Sequence, residues 1–169
     1  MGSHPYFYFT PYQRDIQAAL QVLRENEFKA GRYDPAMQMA APPSYMFQFS
    51  FPPDETSPAP GAKHASIEEA LEASMESGTG SILDLSRITT EPDFFSACPL
   101  SDDELVMLFG TSQPSRELLE SVLIKQERDF GHDPSELFWE QIDRGQGRYI
   151  VTYAGSEPSE IFFVGYSFD

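Results

Sequence analysis

The sequence predicts an α+β fold, in which a small antiparallel or mixed sheet packs against four to five helices. Three observations predict it. Residues 6–9 and 148–168 are rich in aromatic and β-branched side chains and are bounded by turn residues. Ser66, Ser101 and Asp133 each stand three places before a glutamate at the head of an amphipathic run, the spacing of a helix start. Between these regions an aromatic stretch alternates with the period of a half-buried strand. A chain of 169 residues fits one domain, 1–169, with a proline-rich arm over about 34–63.

Taken in order, Tyr6–Phe9 is the first strand. Thr10 is placed to cap the following helix, with Pro11 at its first position, where a missing N–H is harmless. Ile16, Ala19, Leu20 and Leu23 then share one helical face. Gly31 ends that helix and Pro35 prevents its return. Residues 34–63 hold seven of the fourteen prolines, so no continuous helix crosses them. Inside lies YMFQFSF, residues 45–51, between Pro42-Pro43 and Pro52-Pro53. Its flanking prolines cannot donate to a ladder, which makes it an edge strand or a strand on a long arm.

The capping pairs Ser66/Glu69, Ser101/Glu104 and Asp133/Glu136 mark helices near 66–76, 101–109 and 134–143, with another over 114–130. Gly78 closes the first of them, and Ser81–Leu85 follows as a strand or turn. The end of the chain reads as a β-hairpin: Arg148–Tyr153, a turn over Ala154–Pro158, and Ser159–Phe168. Ile161–Val164 is apolar on both faces, as a strand in the middle of a sheet must be. The helices are expected on one side of this sheet.

Charge narrows the function. The formal net charge is −16, and it is uneven: residues 1–53 are neutral, 54–104 carry twelve acids against Lys63 and Arg87, and 105–169 carry eleven acids against five bases. Such a field repels phosphate backbones and anionic bilayers, which excludes direct nucleic-acid and membrane-surface binding as expectations. It accelerates encounter with a basic protein partner instead. The single cysteine, Cys98, precludes an internal disulfide and points to a cytoplasmic protein.

Residues 66–88, SIEEALEASMESGTGSILDLSRI, are the stretch most like a site. As a calcium loop with Gly78 at its sixth position, it would place Ala73, Met75 and Ser77 where oxygen ligands belong. As a phosphate loop it lacks the lysine, and its glycines follow a helix rather than precede one. Glu68, Glu69, Glu72 and Glu76 are left as an acidic helix face, and Asp84 as a turn cap or local ion pair. Three scattered histidines and one cysteine show no metal-ligand spacing, and neither a metal nor a cofactor is expected.

The leading expectation is therefore an interaction module rather than an enzyme. Glu68, Glu69, Glu72, Glu76, Asp102 and Asp103 would face a basic partner, and Tyr45, Phe47 and Phe49 would supply apolar contacts. An alternative is a small enzyme or ligand-binding domain with a pocket beside the sheet, lined by Tyr8, His64, Cys98 and His132. Cys98 lies just before a helix start, where the helix dipole lowers a thiol pKa. A further alternative is a homodimer assembled through the 45–51 edge. In general character, small, acidic and without catalytic residues at telling spacings, the chain is similar to toxin-neutralising immunity proteins. That similarity is one of composition and carries no residues across; it implies a basic target whose active site is blocked.

Overall fold

The computed structural model describes residues 5–40, 57–124 and 134–168. The expected strand 45–51, with Tyr45, Phe47 and Phe49, and His132 lie outside the described residues.

Strand β1, Pro5–Pro11, runs antiparallel to β5, Glu157–Tyr166, which is hydrogen-bonded in turn to β4, Gly147–Ala154. Two shorter strands, β2 at Arg87–Ile88 and β3 at Ser96–Pro99, extend the sheet in parallel. The order is β1-β5-β4-β3-β2, so the sheet is mixed and the fold is α+β, as expected. Neither parallel strand is foreseen from the sequence, because both are too short to show a period. Thr10 and Pro11 belong to β1 rather than to a helix start. The first helix, α1 at Ile16–Ala30, is capped by Asp15, whose carboxylate accepts from the Ala18 amide at 3.0 Å.

The hairpin turn is tighter than expected, with only Gly155 and Ser156 between the strands. Pro158 enters β5 opposite Tyr153, beside an irregularity in the ladder at Thr152/Tyr153. A proline has no N–H to offer its neighbour. The Tyr153 amide donates to the Pro114 carbonyl at 2.9 Å, tying β4 to the chain that leads into the helix at Arg116–Leu119.

Helices cover both faces of the sheet, not one. Tyr6 and Tyr8 of β1, Ile161 and Phe163 of β5, and Ala97 of β3 pack with Ala19, Leu20 and Leu23 of α1, and with Ile67 and Ala70 of α3, Ile67–Ala73. Ala36, in the short helix α2 at Ala36–Ala40, joins this layer. The alternate positions Phe7, Phe9, Ile150, Phe162 and Val164 pack with α4, Asp102–Phe109, with α5, Arg116–Leu119, and with α6, Pro134–Glu140. A π-helical turn, Glu120–Ile124, continues α5. The physical reason is visible in β5: successive side chains point to opposite faces, and Ile161–Val164 is buried on both. Two glycines let helices and strands close in. A Cβ on Gly165 would stand 2.6 Å from the Tyr6 hydroxyl, and one on Gly147 would collide with Leu85.

Helix α3 is shorter than expected. Its N-cap is Ser66, but the Ser74 hydroxyl donates to the Ala70 carbonyl at 2.8 Å and ends the helix four residues before Gly78. Ser81–Leu85 is a 3-10 turn over Ile82–Asp84 rather than a strand. In α4 the expected capping pair closes in both directions: the Ser101 amide donates to Glu104 at 2.7 Å and the Glu104 amide to Ser101 at 3.2 Å.

Glu104 also accepts from the buried Arg148 guanidinium at 3.1 Å. Burial alone would raise its carboxyl pKa, but the Ser101 amide and Arg148 hold it below the usual glutamate range. Its contribution to stability is accordingly full above about pH 4.3, where an unfolded glutamate titrates, and is lost as pH falls through the depressed folded value. Glu104→Gln is expected to lower the unfolding free energy by about 2 kcal/mol at pH 7, because Arg148 stays buried without its counter-charge. That difference should narrow in strong acid; urea unfolding of both proteins at neutral and acidic pH measures it.

Candidate functional site

Two buried polar clusters and one exposed aromatic cluster stand out. The first is the loop that follows α3. Asp84, at the end of the 3-10 turn, accepts from both the amide and the hydroxyl of Thr79 at 2.8 Å. The Gly80 amide adds to this cradle, and Thr79 shares a 2.8 Å hydrogen bond with Ser81. Arg24 of α1 is buried beside it and donates to the Leu83 carbonyl at 3.1 Å. Burial pushes the Asp84 carboxyl up, against the pull of the Thr79 and Gly80 hydrogen bonds and the Arg24 charge. The partner of Asp84 is therefore its own loop, not Arg87, which pairs with Asp93 at 2.6 Å. This cluster is turned inward and presents no carboxylate to solvent.

The second cluster joins α1 to the leg of chain that returns from the proline-rich arm. Glu27 and Arg32 form a two-pronged ion pair with both contacts at 2.9 Å. The Tyr33 hydroxyl, 2.8 Å from His64 Nδ1, also accepts from the Lys63 amide. Gly61 lies so close under Gly31 that a Cβ on Gly31 would overlap its carbonyl. Tyr8 lies in the same layer. Its hydroxyl is pushed well above the usual phenol range by burial and by the Glu27 charge.

Of the residues expected to line a pocket, Tyr8 and His64 thus fall in one layer, whereas Cys98 does not join them. It is buried in β3 beside Arg148 and Glu104, on the α4 side of the sheet. Burial pushes its thiol up, the opposite of the lowering expected at a helix start. The carboxylates expected to meet a partner are exposed: Glu68, Glu69, Glu72 and Glu76 along and just beyond α3, Asp102 and Asp103 at the head of α4. The two sets belong to opposite layers, because α3 and α4 pack on opposite faces of the sheet.

Sequence reasoning missed the third cluster. Phe94, Phe95 and Phe168 are 52%, 43% and 37% exposed, yet they pack on one another. Phe168 lies nearly parallel to Phe95 at 5.2 Å and to Phe94 at 6.3 Å between ring centroids. Phe95 has a φ of 56°, and no other non-glycine among the described residues has a positive φ. The cause is topological. Only seven residues connect the parallel strands β2 and β3, where a dozen or more are usual, so the chain must reverse sharply before entering β3. The conformation is pinned by the Phe95 amide donating to Gly145 and the Ser86 amide donating to Phe95, both at 2.8 Å. The available signal was the pair Phe94-Phe95 beside Asp93, two consecutive aromatics that fit neither a strand nor a helix period.

Comparison with protein-family models, with curated proteins and with solved structures returned no match. Among the described residues no helix is long and apolar enough to cross a membrane, and no group of three or more His, Cys, Asp and Glu residues could hold a metal ion.

Proposed function

We propose that this protein is an acidic interaction module that binds a basic protein in the cytoplasm, in the manner of an immunity protein or inhibitor. One observation supports the reading: apart from Glu68, whose charge acts on the buried Arg24, the exposed carboxylates on the α3 side have no cation paired with them among the described residues. Glu72 and Glu76 make no hydrogen bond or ion pair among the described residues, and Glu69 bonds only backbone and its helix cap. The arginines that could neutralise such a surface are engaged elsewhere, Arg32 with Glu27, Arg87 with Asp93, Arg116 with Glu120 and Glu160, and Arg148 with Glu104. Exposed carboxylates along and just beyond α3, on a chain of net charge −16, steer a cationic surface toward them.

The test begins with capture from host lysate, followed by titration of the purified partner. A partner of high pI is expected, with affinity falling at least about tenfold between low and high salt. Replacing Glu68, Glu69, Glu72 and Glu76 together by glutamine should weaken binding at low salt and flatten the salt dependence. Affinity indifferent to ionic strength would remove the basis of this reading.

A further inference from the structure

The Phe94, Phe95 and Phe168 cluster has the composition of an anchor for a positively charged planar group. Its rim is acidic. Glu91 and Asp93 are exposed in the same connection as Phe94 and Phe95, and Asp143 is exposed in the turn that carries Gly145. A Cβ on Gly145 would stand 3.1 Å from the Phe168 ring, so that turn underlies the cluster. The other side is bounded by the chain leaving α3, since a Cβ on Gly78 would stand 3.3 Å from the Phe168 Cβ. Exposed Glu76 lies two residues before it.

The backbone explains why a turn is needed here but not why phenylalanine fills it. Glycine or asparagine adopts a φ of 56° with far less strain than a bulky side chain does. A strained residue that holds an apolar ring in water is a feature maintained for contact rather than for folding.

The molecule already contains the matching chemistry. The Arg116 guanidinium lies 4.1 Å from the centre of the Phe9 ring and is held by Glu120 at 3.0 Å and Glu160 at 2.8 Å. Ring face and flanking carboxylates together fix a guanidinium in a defined plane. The exposed cluster offers the same kind of ring faces, with Glu91 and Asp143 exposed in the connection and the turn that carry it, while Asp93 is already paired with Arg87.

We infer that the Phe94, Phe95 and Phe168 surface is the anchor for an arginine side chain of the basic partner, with Glu91 and Asp143 orienting the guanidinium. The inference rests on the proposed binding of a basic protein and names the contact that gives it selectivity. Charge alone treats arginine and lysine alike; ring faces favour the planar, weakly hydrated guanidinium.

The test uses two fluorescent decapeptides, alternating arginine-glycine and alternating lysine-glycine, at equal charge and equal salt. Anisotropy should show the arginine peptide binding about fivefold more tightly. Phe94→Leu with Phe168→Leu keeps apolar volume but removes the ring faces, and should bring the ratio to one; Phe168→Tyr should preserve it. Circular dichroism confirms that each variant is folded. Equal affinity for the two peptides in the wild type, or a ratio that survives the double leucine change, overturns the inference. So does self-association of the free protein that is abolished by the same change, since the occupant would then be a second copy. The four glutamine changes along and just beyond α3 separate the two ideas. If they lower both affinities and leave the ratio intact, both stand; if they change nothing while the ratio persists, the anchor stands and the α3 surface does not.

Discussion

Asp84→Ala is expected to lower the unfolding free energy by about 3–5 kcal/mol, among the largest effects of any single substitution in this chain. Three losses combine. The Thr79 amide and hydroxyl, each bonded to Asp84 at 2.8 Å, lose their acceptor inside the protein. The buried Arg24 guanidinium loses one of the two carboxylates whose charge acts on it, and keeps Glu68, the Leu83 carbonyl and Gln21. The loop from Gly78 to Leu85 loses the group around which it is wound.

Asp84→Asn keeps the shape and most of the hydrogen bonding, and should be milder. Asp84 and Glu104 also respond to pH in opposite directions. Burial raises the folded pKa of Asp84, so the native state holds its proton more tightly than the unfolded chain does. The wild type should therefore gain relative to Asp84→Asn as pH falls toward the ordinary aspartate value, and lose that gain as pH rises through the folded pKa. Glu104, with a depressed pKa, behaves in the reverse sense. Urea midpoints of the wild type and the asparagine variant across the acidic range would check the sign.

Phe162→Ala should cost a similar amount, about 3–5 kcal/mol. Phe162 is fully buried, packing against Phe9 at 5.0 Å and Phe7 at 6.1 Å and lying within the layer formed by α4, α5 and α6. Its neighbour Phe163 points through the sheet to the other layer, beside Tyr149 at 6.0 Å. The adjacent residues serve separate cores and share few partners. The milder changes Phe162→Leu and Phe163→Leu are therefore expected to add within about 0.5 kcal/mol in the double variant. Strong non-additivity in chemical denaturation would mean that the two faces behave as a single packed unit.

The features legible in the sequence are those decided within a few residues. Ser66 and Ser101 cap helices because the acceptor and the orphan amide lie three residues apart, and Gly31 and Gly110 end helices with φ near 75° because no other residue adopts it so readily. The same holds for the alternation in β1 and the closing hairpin. The exposed Glu68, Glu69 and Glu72 of α3 were legible too, since their spacing needs only the helix to exist; Glu76, expected on the same face, lies beyond the end of the helix at Ala73. Failures began where a competitor was close at hand. Asp15 displaced Thr10 as the first cap, and Ser74 ended α3 before Gly78 could.

Tertiary structure alone decided what lies across the sheet. Ile161–Val164 declared both of its faces apolar, but which helices cover each face is set by contacts distant in the chain, α1 against β5 on one side and α4 to α6 against β5 and β1 on the other, brought together by the order β1-β5-β4-β3-β2. That order put the acids of α3 and α4 in opposite layers, carried Cys98 away from His64, and brought Phe168 to Phe94 and Phe95. Local spacing fixes caps, turns and strand alternation because their partners lie within one turn of chain. Long-range packing fixes sites, because the residues that form them meet only after the sheet has closed.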